Sequence, residues 1–197
     1  PDNPQGRQSL DEPDFVDLEP RAAGTSGDGY IWKYLYTIKP NQIIKFDSID
    51  FMPVPNAWGT GESIDIKNNA VDGKIETAVI LNAGDGYQPI GTTFNNIPIL
   101  GDGTGGKVSV TVNSQGKVSD VTVTSGGTGY TSGTVQFYPG APGTEIGGPI
   151  AGLSAVGVAG TSVAEIEVVI PPPGGHGFDV YKELGAFRVL MYARFEN

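Results

Sequence analysis

One stretch of this chain occurs twice, and that repetition constrains the fold more than anything else in it. Gly73-Lys-Ile-Glu-Thr-Ala-Val-Ile-Leu-Asn-Ala-Gly84-Asp-Gly86-Tyr87 returns 43 residues later as Gly116-Lys-Val-Ser-Asp-Val-Thr-Val-Thr-Ser-Gly-Gly127-Thr-Gly129-Tyr130, in register through Phe94 and Phe137. Each copy reads as a β-prone run, a Gly-x-Gly-aromatic turn and a second short run. Duplication of so small a unit implies a fold built by stacking one β element on another. The expectation is an all-β protein, with antiparallel sheets in a sandwich- or barrel-like arrangement and at most one or two helical turns. Gly86 and Gly129, with Gly177 further on, are expected at positive φ, where any residue with a Cβ is strained.

The flanks continue the β pattern. Residues 1–27 carry six acids against Arg7 and Arg21 and read as an extended acidic arm, either a solvated linker or a segment draped over a neighbouring subunit. Tyr30, Trp32, Tyr34 and Tyr36 alternate along Tyr30–Ile38, so a strand would put all four rings on one face. Such a ladder belongs in a core or an interface, because each ring hides roughly 150–250 Å² when buried. Ile43–Ile49 is expected as an antiparallel partner of that strand, ended by Pro53 and Pro55. Further strands are expected at Glu62–Ile66, Gly73–Asn82, Gly106–Val112, Gly116–Ser125, Ser162–Ile170 and Phe187–Phe195. Asp179 can cap a single helical turn that stops at Gly185. This divides the chain into an arm (1–27), a main β domain (28–58 plus 163–197), a duplicated insertion (59–138) and a Gly/Pro/Ala-rich loop or hinge (139–162).

Charge and composition exclude several function classes. A net charge of −10, with only 12 scattered Lys and Arg, is wrong for sequence-independent contact with nucleic acid or adhesion to anionic lipid. No apolar run is long enough to span a bilayer, and the acidic N-terminus lacks the apolar core of a secretory signal. With no cysteine, neither disulfides nor thiolate metal sites arise. The chain opens on Pro1, as a fragment or processed product would.

No catalytic constellation emerges, no cofactor is implied, and the chain is not expected to be an enzyme. Gly101, Gly103 and Gly106 match G-x-G-x-x-G, but a strand follows them where a dinucleotide site needs a helix. Ser114 and Lys117 spell S-x-x-K without the helical turn that would join them. His176 is the sole histidine and cannot build a triad or a multi-histidine metal site within one chain. Asp28, Asp85 and Asp102 sit in Gly-Asp-Gly turns. Calcium binding there lacks the EF-hand spacing.

Two stretches are more specific. Asp28-Gly-Tyr30-Ile-Trp32-Lys-Tyr34-Leu-Tyr36 through Lys45-Phe46-Asp47 is one. Pro173-Gly-Gly175-His176-Gly177-Phe178 through Lys182-Glu183-Leu184-Gly185-Ala-Phe187 is the other. Together they resemble baseplate wedge proteins of T-even-type contractile-tailed bacteriophages, in particular the dimer-forming wedge subunit. Family members are longer, so an N-terminal portion is expected to be missing. The resemblance implies a non-enzymatic homodimer that joins neighbouring wedge proteins in the virion after assembly in the host cytoplasm. Gly86, Tyr87, Gly129, Tyr130, Gly175, His176, Gly177, Phe178, Glu183 and Gly185 are the candidate turn and assembly residues. Tyr30, Trp32, Tyr34 and Tyr36 are core or interface candidates. The alternative is a fibre or adhesin domain whose aromatic turns hold carbohydrate.

Overall fold

A computed structural model describes residues 8–139, 150–155 and 162–195. The chain forms α1 (Pro40–Phe46), a 3₁₀ turn (Gly61–Ser63) leading into α2 (Ile64–Asn69), then β1 (Ala78–Asn82), β2 (Tyr87–Gln88), β3 (Thr92–Pro98), β4 (Leu100–Gly101), β5 (Thr104–Val112), β6 (Val118–Thr128), β7 (Gly133–Val135), β8 (Ser154–Ala155), β9 (Glu165–Val168) and α3 (Val180–Glu183). The strands make three sheets, β1-β9-β7-β4, β3-β5-β6 and the pair β2-β8. Every pairing is antiparallel. The protein is therefore mainly β, with three short helices and one 3₁₀ turn among the described residues.

The two copies of the repeat bond to each other reciprocally. The Tyr87 N–H donates to the Gly116 carbonyl at 3.0 Å, and the Tyr130 N–H donates to the Gly73 carbonyl at 3.3 Å. Likewise the Val118 N–H reaches Ala83 O (2.9 Å) and the Ile75 N–H reaches Gly126 O (3.0 Å). Each bond maps onto the other when the copies are exchanged. Both tyrosine hydroxyls are buried bridges. That of Tyr87 donates to Phe137 O (2.8 Å) and accepts the Ala164 N–H (2.7 Å). That of Tyr130 donates to Ile99 O (3.0 Å) and accepts the Gly106 N–H (3.1 Å). The strand that closes against the first copy is β9, and β5 plays that part for the second. Burial raises the pKa of the Tyr87 phenol, and the Asp85 charge adds to the shift against the Ala164 N–H. The three glycines expected at positive φ have it, at 74° (Gly86), 75° (Gly129) and 87° (Gly177).

Apolar burial divides into two cores. The larger gathers Ile75, Tyr87, Phe94, Ile97, Val108, Val110, Val112, Tyr130, Phe137, Ile166 and neighbours around the repeat. The smaller joins Trp58, Ile66 and Val180, with Leu18, Tyr34, Tyr36 and Val54 packed against it. β9 belongs to the first core, since it pairs with β1 and β7.

Several expected strands are corrected. Ile43–Ile49 gives way to α1: Pro40 at the first helical position has no N–H to lose, and the Gln42 side chain accepts the Lys39 N–H at 2.9 Å. These start signals outweigh the β preference of Ile43 and Ile44. Glu62–Ile66 is also helical. The Ser63 hydroxyl ties the entry by accepting the Gly59 N–H and donating to Thr60 O, and only Ile66 of the Ile64/Ile66 pair is buried. Deprived of a partner strand, Tyr30–Ile38 makes a single bridge, Trp32 to Arg21, with bonds of 2.9 and 3.0 Å. In the first copy the strand begins only at Ala78, and Phe187–Phe195 joins no sheet. The loop or hinge expected at 139–162 lies largely outside the described residues.

Candidate functional site

The glycine-histidine stretch folds as a corner clamped from three sides. After Pro171–Pro173 ends the β9 run, the Gly174 N–H donates to the Asp72 carboxylate (2.7 Å). A Cβ on Gly175 would stand 2.3 Å from the Val71 carbonyl oxygen, so glycine is required by close packing. The Trp58 indole N–H is shared between Gly177 O (2.9 Å) and Phe178 O (3.2 Å). Asp179 caps α3 as expected, accepting the Lys182 N–H at 3.2 Å, and Gly185 ends the turn at φ 63°.

Glu183 folds back over this corner. One carboxylate oxygen accepts the Gly177 N–H (2.8 Å), and the other lies 2.6 Å from His176 Nδ1. Burial pushes the Glu183 pKa up. The His176 hydrogen bond, the Gly177 N–H and the His176 and Lys33 charges outweigh it, so the net direction is down. The sole histidine thus holds a turn together. Asp102 does the same for another turn, accepting the Thr131 and Ser132 N–H groups (3.0 and 2.9 Å) and the Thr131 hydroxyl. Those bonds hold its pKa well below the usual carboxylate range.

The remaining candidates separate. Tyr87 and Tyr130 point into the protein and are 2% exposed, so they do not project as anchors, whereas Phe178 is half-exposed. Tyr30, Trp32, Tyr34 and Tyr36 are all half-buried. Tyr30 lies against Trp32 (centroids 6.2 Å apart), Tyr36 meets Trp58 edge-on (6.4 Å), and Tyr34 joins the smaller core. Gly101–Gly106 forms β4, a turn and the start of β5, with no helix after it. Sequence reasoning missed the Lys33–Glu76 ion pair, both side chains of which are largely buried. Partners that far apart along the chain leave no local signal. Among the described residues no group of three or more His, Cys, Asp or Glu could hold a metal ion.

The segment after Gly185 is the most unusual surface. Tyr192 packs edge-on against Phe46 (centroids 6.5 Å apart) with Lys45 Nζ 4.7 Å from its ring, and Arg188 sits 4.9 Å over Phe51. These contacts fasten a ribbon to α1 and the residues after it. Phe187, Val189, Met191 and Phe195 are left 81–93% exposed. Tyr192 and Leu190 are about half covered, so exposure alternates as in a strand although no strand pairs with it. Ile44 and Ile49, next to the residues that hold the ribbon, are 85% and 103% exposed. Together these six side chains present roughly 900 Å² of apolar surface, taking about 150–250 Å² for an aromatic and somewhat less for an aliphatic.

Compared with family models, curated proteins and solved structures, the chain gives no match. What the surface can do follows from its chemistry. A rigid corner carries an apolar ribbon whose backbone is free of any sheet, which suits contact with another polypeptide.

Proposed function

We propose that this protein is a structural subunit of a contractile-tail phage baseplate wedge, acting as a homodimer that connects neighbouring wedge proteins. The observation that carries the reading is the ribbon of Phe187, Val189, Met191 and Phe195, bare to solvent on a corner clamped by Trp58 and Glu183. With Ile44 and Ile49 its exposed apolar side chains add up to roughly 900 Å², comparable to the ~800 Å² per partner that a stable interface covers. The baseplate assignment itself leans on the resemblance of Asp28–Asp47 and Pro173–Phe187. The fibre or adhesin alternative needs exposed rings beside carboxylates. Tyr87 and Tyr130 are buried, whereas Tyr34, Tyr36 and Glu62 help to line an open groove of about 310 Å³.

Sedimentation velocity over a concentration series tests the dimer. The expected result is a species of twice 20.6 kDa at tens of micromolar, lost when Val189 and Met191 are both replaced by Asp. A single 20.6 kDa species throughout would overturn the dimer. Co-purification with wedge proteins of a contractile-tailed phage tests the assignment.

A further inference from the structure

The ribbon is basic as well as apolar. The protein carries −10 overall, yet Leu184–Phe195 contains Arg188 and Arg194 and no acid. The opposite composition occurs at the other end. Residues 8–19 contain Asp11, Glu12, Asp14, Asp17 and Glu19, with no Lys or Arg. This segment also lies outside every sheet, and it exposes Leu10 (79%) and Val16 (67%). One segment is thus basic and apolar, the other acidic with exposed apolar residues, and both are about a dozen residues long. Within one copy they are fastened to different places. The acidic segment is held by Asp17–Arg21 and Glu19–Lys74, the ribbon by Phe46 and Phe51.

We infer that the C-terminal ribbon of each copy lies along the acidic segment 8–19 of a second copy, reciprocally across a two-fold axis. The inference rests on the dimeric reading above and names its contact. Two bodies of charge −10 repel, and setting a stretch with two arginines and no acid against the most acid-rich one relieves that repulsion where the copies meet. The exposed row of Phe187, Val189, Met191 and Phe195 would be covered by a segment that brings Leu10 and Val16. Reciprocity follows from two-fold symmetry, since a residue that meets a counterpart in one direction meets it in the other.

The test exchanges charge in the full 197-residue chain. One variant carries Arg188→Glu and Arg194→Glu, and the other Glu12→Lys, Asp14→Lys and Asp17→Lys, which turns residues 8–19 net positive. Alone, each puts like charge at both junctions of its homodimer. Mixed, they form a heterodimer in which both junctions pair opposite charge. The expected result at low salt is association weakened by about tenfold or more in each variant alone, with recovery to the unmodified level in the mixture. Circular dichroism and melting temperature check that each variant is folded. Because Arg188→Glu also removes the contact with Phe51, Arg188→Glu and Arg194→Glu are also measured singly, each expected to weaken association in the same direction. If the lysine variant dimerises like the unmodified chain, or the mixture recovers nothing, the pairing is overturned while the dimer stands. If the unmodified chain is monomeric, both fall.

Discussion

Removing the hydroxyl of Tyr87 tests whether the repeat is locked by its buried bridges. In Tyr87→Phe the ring still fills its place against Phe137, 5.0 Å away between centroids, so packing is nearly conserved. Two backbone groups lose their partner, the Phe137 carbonyl (2.8 Å) and the Ala164 N–H (2.7 Å). Each buried group left unsatisfied costs about 1–3 kcal/mol, and sparing the hydroxyl its own desolvation returns part of that, so the net loss is about 3 kcal/mol. For a chain of this size that corresponds to a fall of roughly 6–12 °C in melting temperature. It should also appear as a lower urea midpoint at unchanged slope, the sign of a stability loss without altered compactness. Tyr138→Phe is the control. Its hydroxyl makes one exposed bond, to the Gln136 side chain at 3.3 Å, and its loss should cost less than about 0.5 kcal/mol. Equal midpoints for the two variants would refute the claim that Tyr87 holds the copies together by its oxygen.

Gly73→Ala should destabilise by more than about 2 kcal/mol, because its Cβ would lie 2.1 Å from the Tyr130 nitrogen at φ 65°. Gly61→Ala, at φ 57° with nothing within 4 Å, should cost only about 1 kcal/mol of backbone strain, and chemical unfolding separates the two. Trp58→Phe breaks the indole bonds to Gly177 and Phe178 and should cost about 2 kcal/mol; urea unfolding measures it, and an unchanged midpoint would refute the clamp. Glu183 supplies the pH prediction. Its pKa is lowered in the folded state, so its stabilisation is present above about pH 4.3, the ordinary Glu value, and is lost as pH falls through the folded value. Glu183→Gln should flatten the decline of stability below that pH; an identical acid profile would exclude the role.

The repeat was legible because both copies combine β-branched alternation with a glycine turn and an inward tyrosine, signals confined to fifteen residues. The Asp179–Gly185 turn was legible for the same reason, since cap and stop are adjacent. Ile43–Ile44 misled because a helix of seven residues buries nothing, and its only signals, Pro40 and Gln42, are weaker on the page than two isoleucines. The Tyr30–Tyr36 alternation predicted a ladder, yet its strand depended on that lost partner. Exposure of the ribbon was not legible at all. An alternating apolar run reads identically whether its partner lies in the same molecule or elsewhere, and the pairing of Lys33 with Glu76 depends wholly on tertiary proximity.

The different closing strands of the two copies have a consequence for synthesis. β5 is followed directly by β6, so the second copy can zip shut as soon as it leaves the ribosome. β1 must wait for Val168 to meet Ala78, about ninety residues later, or roughly 5–20 s at the usual translation speed of ~5–20 residues per second. During that interval the nascent chain displays an unguarded edge, and it is then that a chaperone would matter most.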